Sequence, residues 1–139
     1  MKKKAIIVSI KSLKLTIREK LLLSQEKPWG LILFKRNIKN LKQLKNLIQN
    51  IKNLTNDKNF PILIDEEGVS VSRLRNIIQH NISANFFGRI YSKNPYIAIQ
   101  IYKSYLSSLC RYLKNIGINI NTIPVLDILR KNTNKVIGN

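Results

Sequence analysis

PILIDEEGVSVSRL, the stretch from Pro61 to Leu74, sets the frame for the chain. Its opening, Pro61 to Ile64, is a continuous apolar run, as expected of a strand buried on both faces in a parallel sheet. Three carboxylates follow at once, Asp65, Glu66 and Glu67, out of only seven acidic residues in 139. Gly68 and a short alternating run then lead to Arg73 and Leu74. Along an extended segment neighbouring side chains point to opposite sides. The three acids therefore make a poor facing pair for acid–base work, and Asp65 stands at the C-terminal end of the strand.

The flanking segments repeat one theme. KAIIVSI predicts a short buried strand over Ala5–Ile10. A helix is expected over Leu15–Ser24, with Thr16 and Glu19 at capping-box spacing and Leu21 to Leu23 on its buried side. Leu31–Phe34, punctuated by Pro28 and Gly30, predicts a second strand. Leu41, Leu44, Leu47, Ile48, Ile51 and Leu54 recur at helical spacing and predict a helix over Asn40–Thr55, with its lysines on a solvated face. Arg75–Asn94 reads as irregular and polar. Pro95 opens a long helix that Gly117 closes, and Ile118–Leu126 contains a fourth strand ending at Asp127. Strands alternating with helices imply βαβ units and an α/β fold with a parallel sheet.

Composition excludes several classes. At 44% hydrophobic, one domain with a packed core is expected. No apolar run approaches a membrane span, and the basic start lacks the cleavage pattern of a signal peptide. A lone cysteine, Cys110, cannot pair internally and is expected to be buried and inert beside its helix's apolar stripe. Trp29 is expected in strand-entry packing, and His80 on the surface. No glycine-rich phosphate loop, CxxC or HExxH is present, so neither a cofactor nor a metal is expected. The net charge of +18 suits nucleic acid. However, lysine, asparagine and isoleucine together make up 58 of the 139 residues. A/T-rich codons inflate all three together, and the lysines are scattered rather than clustered, so no specific nucleic-acid partner is expected.

Three blocks resemble glycoside hydrolase family 3, and within it the bacterial β-N-acetylhexosaminidases of the NagZ type. PWGLILFKRN resembles the family's PWG-ILFARN, PILIDEEGVSVSRL its LIDQEGGRVQRL, and GININ with PVLDILRKNTNKVIGN its GIN and PVLDV…VIGNR. The blocks run in family order over residues 28–139, and KAIIVSI fits the family's first strand. The resemblance implies the first half of a (β/α)₈ TIM barrel, with residues 1–139 as a partial N-terminal domain and the chemistry at the C-terminal strand ends. It implies a cytoplasmic enzyme of peptidoglycan recycling that removes terminal N-acetylglucosamine from wall fragments, without a cofactor.

Residue by residue, the resemblance makes Asp65 a substrate-binding carboxylate for sugar hydroxyls. Glu67, Gly68, Arg73 and Asp127 become its supporting loop. Val69 and Ser70 depart from the family's glycine and arginine, which implies a relaxed site. The family's sugar-gripping arginine, its KHFPGHG segment and its nucleophilic aspartate have no counterpart up to Asn139. The expectation is a chain with no catalytic residue of its own, inactive alone, whose partners are an amino-sugar fragment and a second chain carrying the other half-barrel. Two alternatives fit the same residues: a small basic polyanion- or nucleic-acid-binding module, and a remnant without function.

Overall fold

The computed structural model describes residues 3–79, 82–126 and 130–133. Four parallel strands alternate with helices: β1 (Lys4–Ser9), α1 (Ile17–Leu21), β2 (Pro28–Leu33), α2 (Leu41–Thr55), β3 (Ile62–Ile64), α3 (Ala84–Lys93), α4 (Pro95–Ile116) and β4 (Ile120–Asn121). A π-helical turn, Leu22–Glu26, extends α1. The sheet order is β1-β2-β3-β4, so each strand pairs with its predecessor in the chain. The expected α/β parallel sheet is present.

The core lies between the central strands and the long helices. Leu31, Leu33, Ile62 and Ile64 are fully buried. In register, Leu31 faces Ile62 and Leu33 faces Ile64 across the β2–β3 pair. Against this surface pack Leu44, Leu47, Ile48 and Ile51 of α2 and Leu109, Leu113 and Ile116 of α4. Gly30 permits the close approach of β2 to the entry of β3. A Cβ there would stand 2.9 Å from the Pro61 side chain and 3.0 Å from its carbonyl oxygen.

Helix ends follow from local hydrogen bonding. Thr16 and Glu19 form the expected capping box, and the Glu19 carboxylate also accepts from the Lys11 N–H at 2.7 Å. Burial tends to raise the Glu19 pKa, but these backbone donors outweigh it and hold the carboxyl below its ordinary range. Asn40 caps α2, Asn94 caps α4 with Pro95 at its first turn, and Gly117 ends α4 in a left-handed conformation.

Several expectations are corrected. β1 is an edge strand rather than a buried one: Ile6 and Ile7 are each 47% exposed, because only β2 pairs with it. Of Leu21 to Leu23 only Leu23 is buried, since the widened π turn swings its neighbours outward. The stretch read as irregular holds α3, capped by Ser83 and packed on α4 through Phe87, whose ring lies 4.7 Å from Tyr102 and 5.3 Å from Tyr105. Cys110 is exposed, as its place just past Leu109 turns it out of the buried stripe. Trp29 sits near the start of β2 but is 41% exposed. His80 and Asp127 lie outside the described residues, as does the VIGN segment. Among the described residues, no helix is long and apolar enough to cross a membrane.

Two other glycines, one ending α4 and one inside α3, give opposite predictions. Gly117 has φ +103°, and a Cβ would stand 2.9 Å from Ile48 Cγ2, whereas Gly88 in α3 has open space around it. Gly117→Ala is expected to cost about 1–3 kcal/mol. Gly88→Ala is expected to gain about 0.5–1 kcal/mol. Urea unfolding midpoints of the two variants check both signs.

Candidate functional site

The C-terminal ends of the four strands form one rim, and side-chain amides sew its loops together. After β2, the fully buried Asn37 accepts from the Phe34 N–H at 2.9 Å. Its amide donates to the carbonyls of Ile10 and Ser12, each at 3.0 Å, tying the β1 loop to the β2 loop. After β3, the Asn121 amide brackets one residue: it accepts from the Glu66 N–H at 3.0 Å and donates to the Glu66 carbonyl at 3.1 Å. At the opposite end of β3, Asn119 does the same between neighbours, accepting from the Ile62 N–H at 2.7 Å and donating to the Phe60 carbonyl at 3.1 Å. The asparagine side chains therefore reinforce the β3–β4 ladder at both ends, beside the backbone bonds from Asn119 and Thr122 to the carbonyls of Ile62 and Ile64.

The acidic cluster separates into distinct roles. Glu66 is fully buried. Its carboxylate accepts from the Ser72 hydroxyl at 2.6 Å, the Arg73 N–H at 2.8 Å and the Leu74 N–H at 2.9 Å. These bonds fold the segment after β3 back on itself and bury Leu74 in the core. The turn is closed by Glu67 and Gly68, whose N–H groups donate to the Val71 carbonyl at 2.9 and 3.2 Å. Gly68 has φ +146°, a conformation that favours glycine.

Asp65 points to the rim. Thr122 donates its hydroxyl to one oxygen at 2.8 Å, and Arg73 pairs with the other at 3.1 Å. An ionised carboxylate offers about four acceptor positions, so capacity is left after these two bonds. The Arg73 guanidinium also lies 5.6 Å from the Phe34 ring centroid, with Arg36 over the same ring at 4.6 Å. The Arg73 Nε is buried without a hydrogen-bond partner. Arg36 in turn donates to the Ile10 carbonyl and the Ser9 hydroxyl. Below the rim, burial pushes the Tyr105 phenol pKa up, and the charges of Glu66 and Tyr102 add to this.

The structure thus brings together Asp65, Glu67, Gly68 and Arg73, while Asp127 lies outside the described residues. Sequence reasoning missed Glu66, Asn37 and Asn121 as the rim's fasteners. The available signal was a polar residue close to the C-terminal end of a strand: Asn37 after β2, Glu66 after β3 and Asn121 at the end of β4. Val69 and Ser70 are exposed at the tip of the turn, and among the described non-glycine residues only Lys27 and Asn56 have positive φ. Valine therefore fits its position without backbone strain.

A parallel βα sheet with a carboxylate held at its C-terminal rim defines an α/β fold that matches the N-terminal TIM-barrel-like domain of glycoside hydrolase family 3. Its structural neighbours include NagZ and family 3 β-N-acetylglucosaminidases. NagZ from Neisseria gonorrhoeae, solved in complex with N-trifluoroacetyl-D-glucosamine, is 32% identical over 91% of this chain with a TM-score of 0.79. A family 3 β-N-acetylglucosaminidase from Paenibacillus sp. str. FPU-7 is 25% identical over 88% of the chain with a TM-score of 0.69. A fungal multi-domain family 3 β-N-acetylglucosaminidase, at 24% identity, shares the fold over 95% of the chain with a TM-score of 0.82. The chain spans 38% of the gonococcal protein, 23% of the Paenibacillus protein and 15% of the fungal one. The similarity supports a glycoside hydrolase-like origin. No family model matches the chain, and no curated protein sequence does.

Glu66→Gln places an amide among three donors and is expected to cost about 3 kcal/mol. Asp65→Asn, which loses only a partly exposed ion pair and half of one hydroxyl bond, is expected to cost about 1 kcal/mol or less. Urea denaturation of both variants checks the order; equal losses would deny Glu66 its role as the loop's anchor.

Proposed function

We propose that this chain supplies the substrate-binding side of a β-N-acetylglucosaminidase, with Asp65 accepting hydrogen bonds from the hydroxyls of a terminal N-acetylglucosamine on a peptidoglycan fragment. The observation that carries this reading is the Asp65 carboxylate itself. It stands at the C-terminal end of β3, steadied by Thr122 and Arg73, with acceptor positions to spare. Phe34, flanked by two guanidinium groups, gives the rim an apolar surface beside it.

Among the described acids at this rim, Asp65 and Glu66 do not form the facing carboxylate pair that the hydrolytic step needs. A retaining glycosidase needs two groups facing each other across the bond, about 5 Å apart. Glu66 is buried and committed to its loop, so the acid next to Asp65 cannot face it across a bond. The chain by itself binds the sugar and does not cleave it, and cleavage takes residues from the remainder of a barrel. Peptidoglycan recycling in the cytoplasm is the setting this reading gives it.

The purified 139-residue chain is expected to release no chromophore from 4-nitrophenyl N-acetyl-β-D-glucosaminide. Saturation-transfer NMR is expected to show N-acetylglucosamine contacting the chain and to lose that signal in Asp65→Ala. Turnover by the chain alone would overturn the division of labour. An unchanged signal in Asp65→Ala would overturn the role of Asp65.

A further inference from the structure

A second concavity lies away from the rim, between the segment leading into α1 and one face of α2. It has a volume of about 930 Å³, within the range of ligand sites. Its lining contains no acid and no aromatic residue. Three chemistries line it instead. Lys14 and Lys20 face it from the α1 side, and Lys39 and Lys42 from the start of α2. None of these lysines takes part in an ion pair among the described residues. Leu13, Leu47 and Leu54 supply apolar surface, with Leu47 buried. Asn46, Asn50 and Asn53 run along α2 as exposed carboxamides.

We infer that this groove binds an extended acidic peptide from a partner protein. Four unpaired lysines ask for carboxylates. Carboxamides spaced along a helix offer donors and acceptors to an extended backbone, Asn53 chiefly through its NH₂ because its oxygen already accepts from the Gln49 amide at 2.8 Å. The leucines take apolar side chains from alternate positions of the same peptide. From Leu41 to Leu54 the helix rises about 20 Å, the span of about six extended residues. Of the described acids, Asp57 pairs with Lys3, Glu26 with Lys4 and Asp65 with Arg73, Glu19 sits in the α1 cap and Glu66 in its loop, and none lines the groove. The groove's lysines are left for the carboxylates of the partner peptide. Nucleic acid fits less well, because stacking platforms for bases are missing from the lining.

The test must separate a built groove from the attraction that a net charge of +18 exerts on any polyanion. The probe is a fluorescein-labelled octapeptide of alternating Glu and Leu, titrated with the 139-residue chain and followed by fluorescence anisotropy. Saturable binding is expected, weakened at least tenfold when every Glu in the probe is replaced by Gln. The double variant Lys39→Glu with Lys42→Glu is expected to lose at least tenfold. Lys103→Glu with Lys114→Glu, the same charge change on exposed positions of α4, is expected to stay within twofold of the parent. Asn50→Trp, which fills the groove from an exposed helical position, is expected to lose at least tenfold with no charge change. Far-UV circular dichroism verifies that each variant is folded. Equal losses in the two lysine variants, an undiminished Asn50→Trp, or tighter binding of a thymidine octanucleotide than of the peptide would each overturn the proposal.

Discussion

A single buried carboxylate organises the rim. Removing an ionised group from water costs several kcal/mol unless charge-assisted hydrogen bonds replace the lost hydration. Glu66 meets that condition with one hydroxyl and two consecutive backbone N–H groups, while Asn121 holds its own backbone from the far side. The geometry of everything downstream depends on this. Arg73 is positioned because its N–H is one of the three donors, and its guanidinium then reaches Asp65. Leu74 enters the core for the same reason. The loop that sets Arg73 against Asp65 has a fixed point, and that point is electrostatic rather than apolar.

The same economy appears at the other strand ends. β3 and β4 are only three and two residues long. Asn119 and Asn121 reinforce their ladder by presenting an amide at each end, each side chain mimicking a backbone unit. Asn37 plays the corresponding part between the first two loops. The chain has 17 asparagines, and these three join the helix caps Asn40 and Asn94 as structural ones. Placing them beside buried strands lets a thin sheet hold a well-defined edge.

The legible parts of the fold were those where one local rule sufficed. α2 and α4 declare themselves by long apolar periods with clear caps, Asn40 on one and Pro95 and Gly117 on the other. The central strands declare themselves by unbroken apolar runs. α3 escaped because ten residues with an internal glycine bury no side chain fully, and its packing on α4 rests on the Phe87 ring. The burial of β1 was misjudged because an apolar sequence does not say whether a strand has one neighbour or two. At the site, Asp65 was legible from its place at a strand end, and its support by Glu67, Gly68 and Arg73 from the resemblance. Which of three adjacent acids turns inward was not legible, since that depends on a loop returning to meet it.

The strand order has a further consequence, for the time course of folding. Because β1, β2, β3 and β4 are neighbours in the same order in space and in sequence, each strand docks on one already in place. No early strand must wait for a distant late one. Each pairing closes one crossover at a time, and the entropy of closing a loop grows only slowly with its length. Chains emerge from the ribosome at about 5–20 residues per second, far slower than a helix or a strand pair forms. The sheet can therefore grow outward from β1 during synthesis, and the exposed flank of each new strand serves in turn as the template for the next.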